Sequence, residues 1–121
     1  MCELKVAVVG SRDLQVKDLG AYLPAGTAEI ISGGSRGIDT CAREYAKAQG
    51  IKLTEFRPDY GRYKKAAPLI RNRAIVEAAD RVLAMWDGRS HGTAHTIDLA
   101  RKLGKPVEVI TVAPDGREEQ K

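Results

Sequence analysis

The sequence is poor in aromatic residues and in cysteine. Aromatic side chains make up 5% of its 121 residues, which favours an aliphatic α/β core over a binding face built on stacked rings. The two cysteines, Cys2 and Cys41, lack a metal-ligand spacing and give no sign of an oxidising compartment. No apolar run approaches the roughly 20 residues that cross a membrane, so no membrane contact is expected. A strand predicted from Leu4 leaves no room for a signal peptide, and we expect a cytoplasmic location.

The net charge is small but unevenly distributed. Twenty basic residues against sixteen acidic ones give a net charge of +4, which is typical of an ordinary solvated surface. One segment, residues 57–73 (RPDYGRYKKAAPLIRNR), holds six basic residues and the single acid Asp59. Tyr60 and Tyr63 interleave with these cations, a pattern that suits single-stranded nucleic acid. The contacts would then come from Arg62, Lys64, Lys65 and Arg73.

Strand-like and helix-like segments alternate along the chain. The predicted strands are LKVAVVG, AEIIS, IKLTEF, RVLAMW and PVEVITV. Helices are predicted over 13–23, over 38–49 with Gly50 as a stop, from Pro68 onward, and over 92–104. Apolar strands separated by helices indicate an α/β fold, a single-domain, Rossmann-like, doubly wound sheet of five parallel strands in the order 3-2-1-4-5. This domain is expected over 1–113, followed by a polar, frayed tail over 114–121.

Three loops rich in glycine, serine and arginine follow strands 1, 2 and 4. They read GSRD (10–13), SGGSRGID (32–39) and DGRSHGT (87–93). In the predicted strand order these loops lie side by side at the topological switch point, where such sheets bind ligands. The last two lead into helices, whose N-terminal amides attract anions, and glycines let a phosphate approach the backbone. The loops therefore predict a phosphate or ribose cradle.

Two common phosphate-binding motifs are absent. No G-x-x-x-x-G-K-[ST] sequence exists, which excludes a P-loop. A dinucleotide fold requires G-x-G-x-x-G after its first strand and an acid about 20 residues later. Here only Gly10 follows strand 1, and strand 2 ends in Ser32. Binding of NAD in that manner is therefore not expected.

The segments VAVVGSRD, ISGGSRGID, RNRAIVEAADRVLAMWDGRSHGT and ARKLGKPV, in this order, resemble the SMF/DprA/LOG (SLOG) superfamily of Rossmann-like domains. Within it, the chain is most similar to the small stand-alone YspA-like branch, over roughly residues 4 to 112. The resemblance implies a domain that binds nucleotides or nucleotide-derived ligands. Relatives include a DNA-uptake protein that binds single-stranded DNA and phosphoribohydrolases that release a base from a nucleoside monophosphate.

Arg71 and Asp39 each allow two interpretations. Arg71 stands nine residues before Asp80. In the phosphoribohydrolases an arginine at this spacing acts at the substrate, so Arg71 would contact phosphate. The alternative is that Arg71 is a solvated residue near the start of a helix. Asp39 could bind ribose hydroxyls or serve only as an acid in the first turn of a helix. The predicted ligand-binding set is Gly10, Ser11, Arg12, Ser32, Gly33, Gly34, Arg36, Gly37, Asp39, Arg71, Asn72, Asp87, Ser90, Gly92 and Thr93.

The double glycine leaves a further alternative open. Gly34 is interpreted as a point where phosphate approaches the backbone, so that Gly34→Val would abolish binding and leave the domain folded. The alternative is that Gly34 has a positive φ and serves the turn, in which case valine would lower stability.

Catalysis is not expected. The phosphoribohydrolase motif places a glutamate three positions after the threonine that Thr93 matches, and this chain has Thr96 there. Arg71 would act only if the chain were such an enzyme. His91, His95 and Asp98 have a spacing that lacks the context of a zinc site, so no metal and no cofactor are predicted. The expected function is sensor-type binding of a nucleotide-like small molecule, with single-stranded DNA binding and phosphoribohydrolysis as alternatives and a homodimer as a further expectation.

Overall fold

The computed structural model describes residues 3–16 and 18–112 and the backbone of 118–120. The strands are β1 (Leu4–Gly10), β2 (Thr27–Ser32), β3 (Lys52–Glu55), β4 (Arg81–Trp86), β5 (Val107–Val112) and β6 (Glu118–Gln120). The helices are α1 (Ile38–Gln49), α2 (Tyr60–Tyr63), α3 (Ala67–Ala78) and α4 (His91–Lys102). Two short 3-10 turns cover Leu19–Tyr22 and Lys64–Ala66.

The first five strands form a parallel sheet in the order β3-β2-β1-β4-β5. This confirms the predicted α/β, Rossmann-like, doubly wound sheet. The strand order reverses between β1 and β4, so the carboxyl ends of these neighbours open a crevice at the switch point.

A sixth strand extends the sheet beyond the predicted five. β6 pairs antiparallel with β5, with Thr111 opposite Glu119. The prediction of a frayed tail is therefore wrong for 118–120, whereas residues 114–117 and 121 lie outside the described residues. The physical reason is that an edge strand carries unpaired N–H and C=O groups, which a returning segment can satisfy whatever its side chains.

The sheet is buried on both faces because its strands alternate between two apolar layers. In β1, Val6 and Val8 pack on the face covered by α1, while Ala7 and Val9 pack on the face covered by α3 and α4. Successive side chains of a strand point to opposite faces of the sheet, and here both faces are buried. A central strand is therefore a continuous apolar run. The two layers hold the strand ends, and with them the loops, in fixed positions.

The helix predicted over 13–23 is wrong. Apart from residue 17, which lies outside the described residues, this segment is an irregular loop with one 3-10 turn at Leu19–Tyr22. Leu14 and Val16 are buried and Gln15 between them is exposed, an alternation that an extended chain gives and a helix does not. Burial against the sheet face overrides the local preference of this short segment.

The other predicted helices, α1, α3 and α4, follow their predicted signals closely, whereas α2 was not predicted. Gly50 caps α1 in the left-handed conformation with φ 67°, as expected for a glycine stop. Pro68 lies in the first turn of α3. A backbone N–H at this position has no acceptor within the helix, so proline, which lacks one, is tolerated there. None of the helices in the described part of the chain has the length and apolar character that a membrane crossing requires.

Candidate functional site

A cleft of about 460 Å³ lies at the carboxyl ends of β1, β2 and β4. Its volume falls within the range of small-molecule sites, roughly 300–1,000 Å³. The three glycine-rich loops and the amino-terminal part of α3 form its walls. Of the predicted ligand residues, the cleft brings together Gly10, Ser11, Arg12, Gly33, Arg36, Asp39, Arg71, Asn72, Asp87, Ser90, Gly92 and Thr93. Ser32, Gly34 and Gly37 are not among its lining residues.

Ser11 holds the three loops together. Its amide donates to the Met85 carbonyl oxygen at 3.1 Å, which joins the end of β1 to the end of β4. Its carbonyl oxygen accepts from the Ile38 amide at 3.5 Å, and its hydroxyl accepts from the Asp87 amide at 3.3 Å. Ser11 is 2% exposed. The residue therefore fixes the loop geometry, although it was predicted as a ligand contact.

The glycines of the second loop have different roles. A Cβ on Gly33 would lie 2.6 Å from Nη1 of Arg71 and 3.1 Å from Oδ2 of Asp39. Gly34 and Gly37 both have φ 75°, a conformation that favours glycine. A Cβ on Gly37 would collide with the carbonyl oxygens of Ser11 and Arg12. Gly33 is thus the close-approach glycine, and the group that approaches it belongs to the protein. The positive φ of Gly34 favours the alternative in which this glycine serves the turn.

Arg71 spans the gap between α3 and the ends of β2 and β3. Nη1 donates to the carbonyl oxygens of Gly33 at 3.0 Å and Phe56 at 3.5 Å, and Nε donates to Oδ1 of Asn72 at 3.0 Å. Nη2 has no acceptor among the described residues. Burial lowers the pKa of the Arg71 guanidinium, and the nearby Asp39 carboxylate opposes that change. Arg71 therefore faces the cleft as a half-buried cation, and is not the solvated residue of the alternative interpretation.

Asp39 is a buried carboxyl group in the first turn of α1. Only 7% of the residue is exposed, and Oδ2 accepts from the Ser35 amide at 3.0 Å. Burial raises the pKa of Asp39, although the Ser35 amide, the Ser32 hydroxyl and the Arg71 cation oppose the change. The fully buried Ser32 hydroxyl lies near this carboxylate without making a hydrogen bond of normal geometry. Both roles predicted for Asp39 are compatible with this position.

Asp87 organises the loop before α4. Its Oδ1 accepts from the amides of Arg89 and Ser90, each at 2.8 Å. Burial opposes ionisation of Asp87, but these two amides and the Ser11 hydroxyl outweigh it and lower the pKa of the carboxyl group. The carboxylate thus satisfies two amides in front of the helix, and the loop 87–90 is held without any ligand.

The first turn of α4 opens into the cleft. The amides of His91, Gly92 and Thr93 have no acceptor among the described residues, and the first helical hydrogen bond of this turn runs from the Ala94 amide to the Ser90 carbonyl oxygen at 3.1 Å. Gly92 and Thr93 line the cleft. Free amides at a helix N-terminus form a site for an anion.

The predicted nucleic-acid contacts lie outside the cleft. Arg62, Lys64, Lys65 and Arg73 are exposed and are not among its lining residues. Arg73 pairs with Glu77 at 3.6 Å, and Arg57 pairs with Glu55 at 3.6 Å. Arg71 faces the cleft, and Arg57 and Arg73 are paired with glutamates. The exposed cations of the basic segment without an acidic partner among the described residues are therefore Arg62, Lys64 and Lys65.

Several residues that line the cleft were not predicted by the sequence analysis. Asp13, Ser35 and Arg89 belong to the three loops already identified, so membership of those loops would have found them. Pro68 and Leu69 come from the first turn of α3. Only the packing of α3 across the strand ends places them there. Thr96 also lines the cleft, and its Oγ1 donates to the Gly92 carbonyl oxygen at 3.0 Å.

Comparisons with known proteins agree with the resemblance seen in the sequence. Residues 4–63, which run from β1 to the end of α2, match the family described as YAcAr: YspA, cpYpsA-related SLOG family. The protein described as "Gene 61 protein" of Mycobacterium phage D29 is 38% identical over 84 residues, which cover 64% of this chain and 67% of that protein. No solved structure matches the chain. With the five parallel strands in the expected order, these matches show that the chain belongs to the YspA, cpYpsA-related SLOG family.

Proposed function

We propose that the protein binds a nucleotide or nucleotide-derived ligand in the cleft, as a sensor-type domain. The observation that carries the proposal is the first turn of α4, where Gly92 and Thr93 present amides without an acceptor among the described residues. Such amides and the helix dipole stabilise a phosphate. Membership of the SLOG family is consistent with a nucleotide-related ligand.

The charges around the cleft also favour an anion. Its lining includes four arginines, at positions 12, 36, 71 and 89, and three aspartates, at positions 13, 39 and 87. Asp13 pairs with Arg36 at 3.3 Å, and Asp87 is bonded by backbone amides. Arg12 and Arg89 have no acidic partner among the described residues, so they are available to a phosphate.

Thr96 supports binding without hydrolysis. The position holds a glutamate in the phosphoribohydrolases that the sequence resembles, and here a 2% exposed threonine bonds to its own helix backbone instead. The side chain therefore supplies no carboxylate for acid–base chemistry at that point.

A ligand screen tests the proposal directly. We expect nucleoside mono- and diphosphates, cyclic nucleotides or ADP-ribose to raise the melting temperature, because a ligand that binds only the folded state stabilises it by about 2.7 kcal/mol at a hundredfold excess over Kd. Failure of every phosphate-bearing ligand at millimolar concentration would contradict the proposal. Release of free adenine from AMP in the same samples would contradict the absence of catalysis.

Matched variants locate the binding site. Arg71→Ala should weaken binding of the best ligand, whereas Arg73→Ala on the same helix should not, because Arg73 is exposed and pairs with Glu77. A Cβ on Gly92 would meet no atom within 4 Å, so Gly92→Leu should fold and block the cleft, while Gly92→Ala adds only a methyl group. Equal binding by Gly92→Leu and Gly92→Ala would show that the ligand lies elsewhere.

Single-stranded nucleic acid remains a second candidate ligand because of one specific observation. Tyr60 and Tyr63 are 55% and 36% exposed, and the Arg62 guanidinium lies 5.2 Å from the centre of the Tyr63 ring. Exposed aromatic rings beside cations form a stacking surface for bases. The exposed Lys64 and Lys65 adjoin this surface.

Salt dependence and charge reversal test this second candidate. Binding of an oligodeoxythymidine through the surface should weaken steeply with salt, because neutralised phosphates release counterions. The double variant Lys64→Glu and Lys65→Glu should abolish it, whereas Arg73→Glu should have little effect. Affinity that survives the double reversal would show that residues 60–65 form an ordinary solvated face.

A further inference from the structure

One carboxylate oxygen in the cleft accepts no hydrogen bond of normal geometry from the described residues. Asp39 is only 7% exposed and lines the cleft, yet among the described residues only the Ser35 amide bonds it with normal geometry, at Oδ2. Oδ1 receives no such bond, although the Ser32 hydroxyl lies close by. This oxygen is accessible from the cleft. It can therefore accept a hydrogen bond from a ligand group that donates one.

Two donors that lack acceptors among the described residues belong to side chains that line the same cleft. Arg71 uses Nε and Nη1 within the protein and leaves Nη2 free among the described residues. The bond from Nε of Arg71 to Oδ1 of Asn72 fixes the orientation of the Asn72 amide, so that Nδ2 is its remaining donor. Asn72 is 8% exposed and lines the cleft. This end of the cleft thus combines an acceptor with two donors.

The mixed character of this end limits the chemistry of the group that fits it. A metal ion is disfavoured because the Arg71 cation lies beside the carboxylate, and a phosphate is disfavoured because the carboxylate repels it. A hydroxyl group both donates and accepts. Two adjacent hydroxyl groups can donate to the carboxylate and accept from the guanidinium and the amide.

We infer that Asp39, Arg71 and Asn72 bind the vicinal diol of a ribose, so that the cleft selects ribonucleotides over 2′-deoxyribonucleotides. The inference rests on the proposed function and adds to it the sugar that the site recognises. The phosphate would lie against the first turn of α4, beside Arg89 of the preceding loop.

A ligand series on the unaltered protein tests the inference without any variant. The probes are AMP, GMP, CMP, UMP and their diphosphates, each with its 2′-deoxy counterpart, titrated by calorimetry. We expect the 2′-deoxy form of the best binder to bind at least about tenfold more weakly, because it loses a hydrogen bond to a charged group. Equal affinity for the two sugars would overturn the inference. If no nucleotide binds at all, the proposed function itself fails.

The variant Asp39→Asn tests whether the Asp39 carboxylate selects the ribose. Asparagine keeps an acceptor for the Ser35 amide, so the loop should be preserved, while the ratio of ribo to deoxy affinity should fall towards one. Asp98→Asn removes a charge from an exposed position of α4 outside this cleft and should leave the ratio unchanged. A ratio that survives Asp39→Asn would contradict the inference. If Asp39→Asn changed only the ranking of the bases, the carboxylate would read a base N–H group, which would also contradict it.

Discussion

The Arg71 guanidinium lies against the backbone of Gly33, with Nη1 donating to the Gly33 carbonyl oxygen at 3.0 Å. A Cβ on Gly33 would lie 2.6 Å from that same nitrogen. Because Gly33 has no side chain, it leaves room for the side chain of Arg71, which is 38 positions further along the chain. The contact joins the second loop to α3, and it holds the cation at the edge of the cleft.

Gly33→Ala should separate binding from folding. The new methyl group displaces the Arg71 guanidinium, which is the end of a flexible side chain, so the fold should be kept. We expect the affinity for the best nucleotide to fall at least about tenfold, as for a lost hydrogen bond to a charged group, with a small change in melting temperature. Calorimetric titration and a circular dichroism melt on the same sample measure both. Unchanged affinity would show that Arg71 does not contact the ligand.

Gly34→Ala should show the opposite behaviour. Gly34 has φ 75° and is not among the residues that line the cleft. An alanine in this conformation costs about 1 kcal/mol of the free energy of unfolding, and valine should cost more because of its branched Cβ. Denaturant unfolding measures the cost, and a titration should show unchanged affinity. A larger loss of affinity than in Gly33→Ala would restore Gly34 as the point of ligand contact.

Asp39→Asn should stabilise the protein in the absence of ligand at neutral pH. Burial raises the pKa of Asp39 in the folded state, so its contribution to stability is present below the unfolded-state pKa and is lost as the pH rises through the folded-state pKa. Removing the charge should therefore raise the melting temperature near pH 7, and the gain should vanish near pH 4, close to the ordinary pKa of about 3.9. A lower melting temperature of the variant at neutral pH would mean that the carboxylate is needed for folding.

Asp87→Ala should have the reverse pH dependence. The amides of Arg89 and Ser90 and the Ser11 hydroxyl outweigh burial and lower the pKa of Asp87, so its contribution is present above the unfolded-state pKa and is lost as the pH falls through the folded-state pKa. At neutral pH we expect a cost of about 1 kcal/mol, the usual value for a lost hydrogen bond. Denaturant unfolding at neutral pH and below about pH 4 gives the comparison. A difference that grows in acid would contradict this role.

Much of the fold could be read from local pattern. The apolar runs that became β1, β2 and β4, the glycine stop at Gly50 and the proline at the start of α3 are features of neighbouring residues. The handedness of crossovers then leaves few orders for the strands. The convergence of three loops follows from that order, because parallel strands end at one edge of the sheet.

Long-range contacts decided what local pattern could not. The segment before β2 lost its predicted helix because Leu14 and Val16 are buried against the sheet, and the tail gained β6 because β5 offered an unpaired edge. The sequence SGG contains both a close-approach glycine and a turn glycine, but nothing in its letters distinguishes Gly33 from Gly34. The distinction depends on the backbone angle at Gly34 and on the arrival of Arg71 at Gly33. The contact of Arg71 with Gly33 results from how α3 packs across the strand ends, and the free energy of that packing involves residues far apart in the chain.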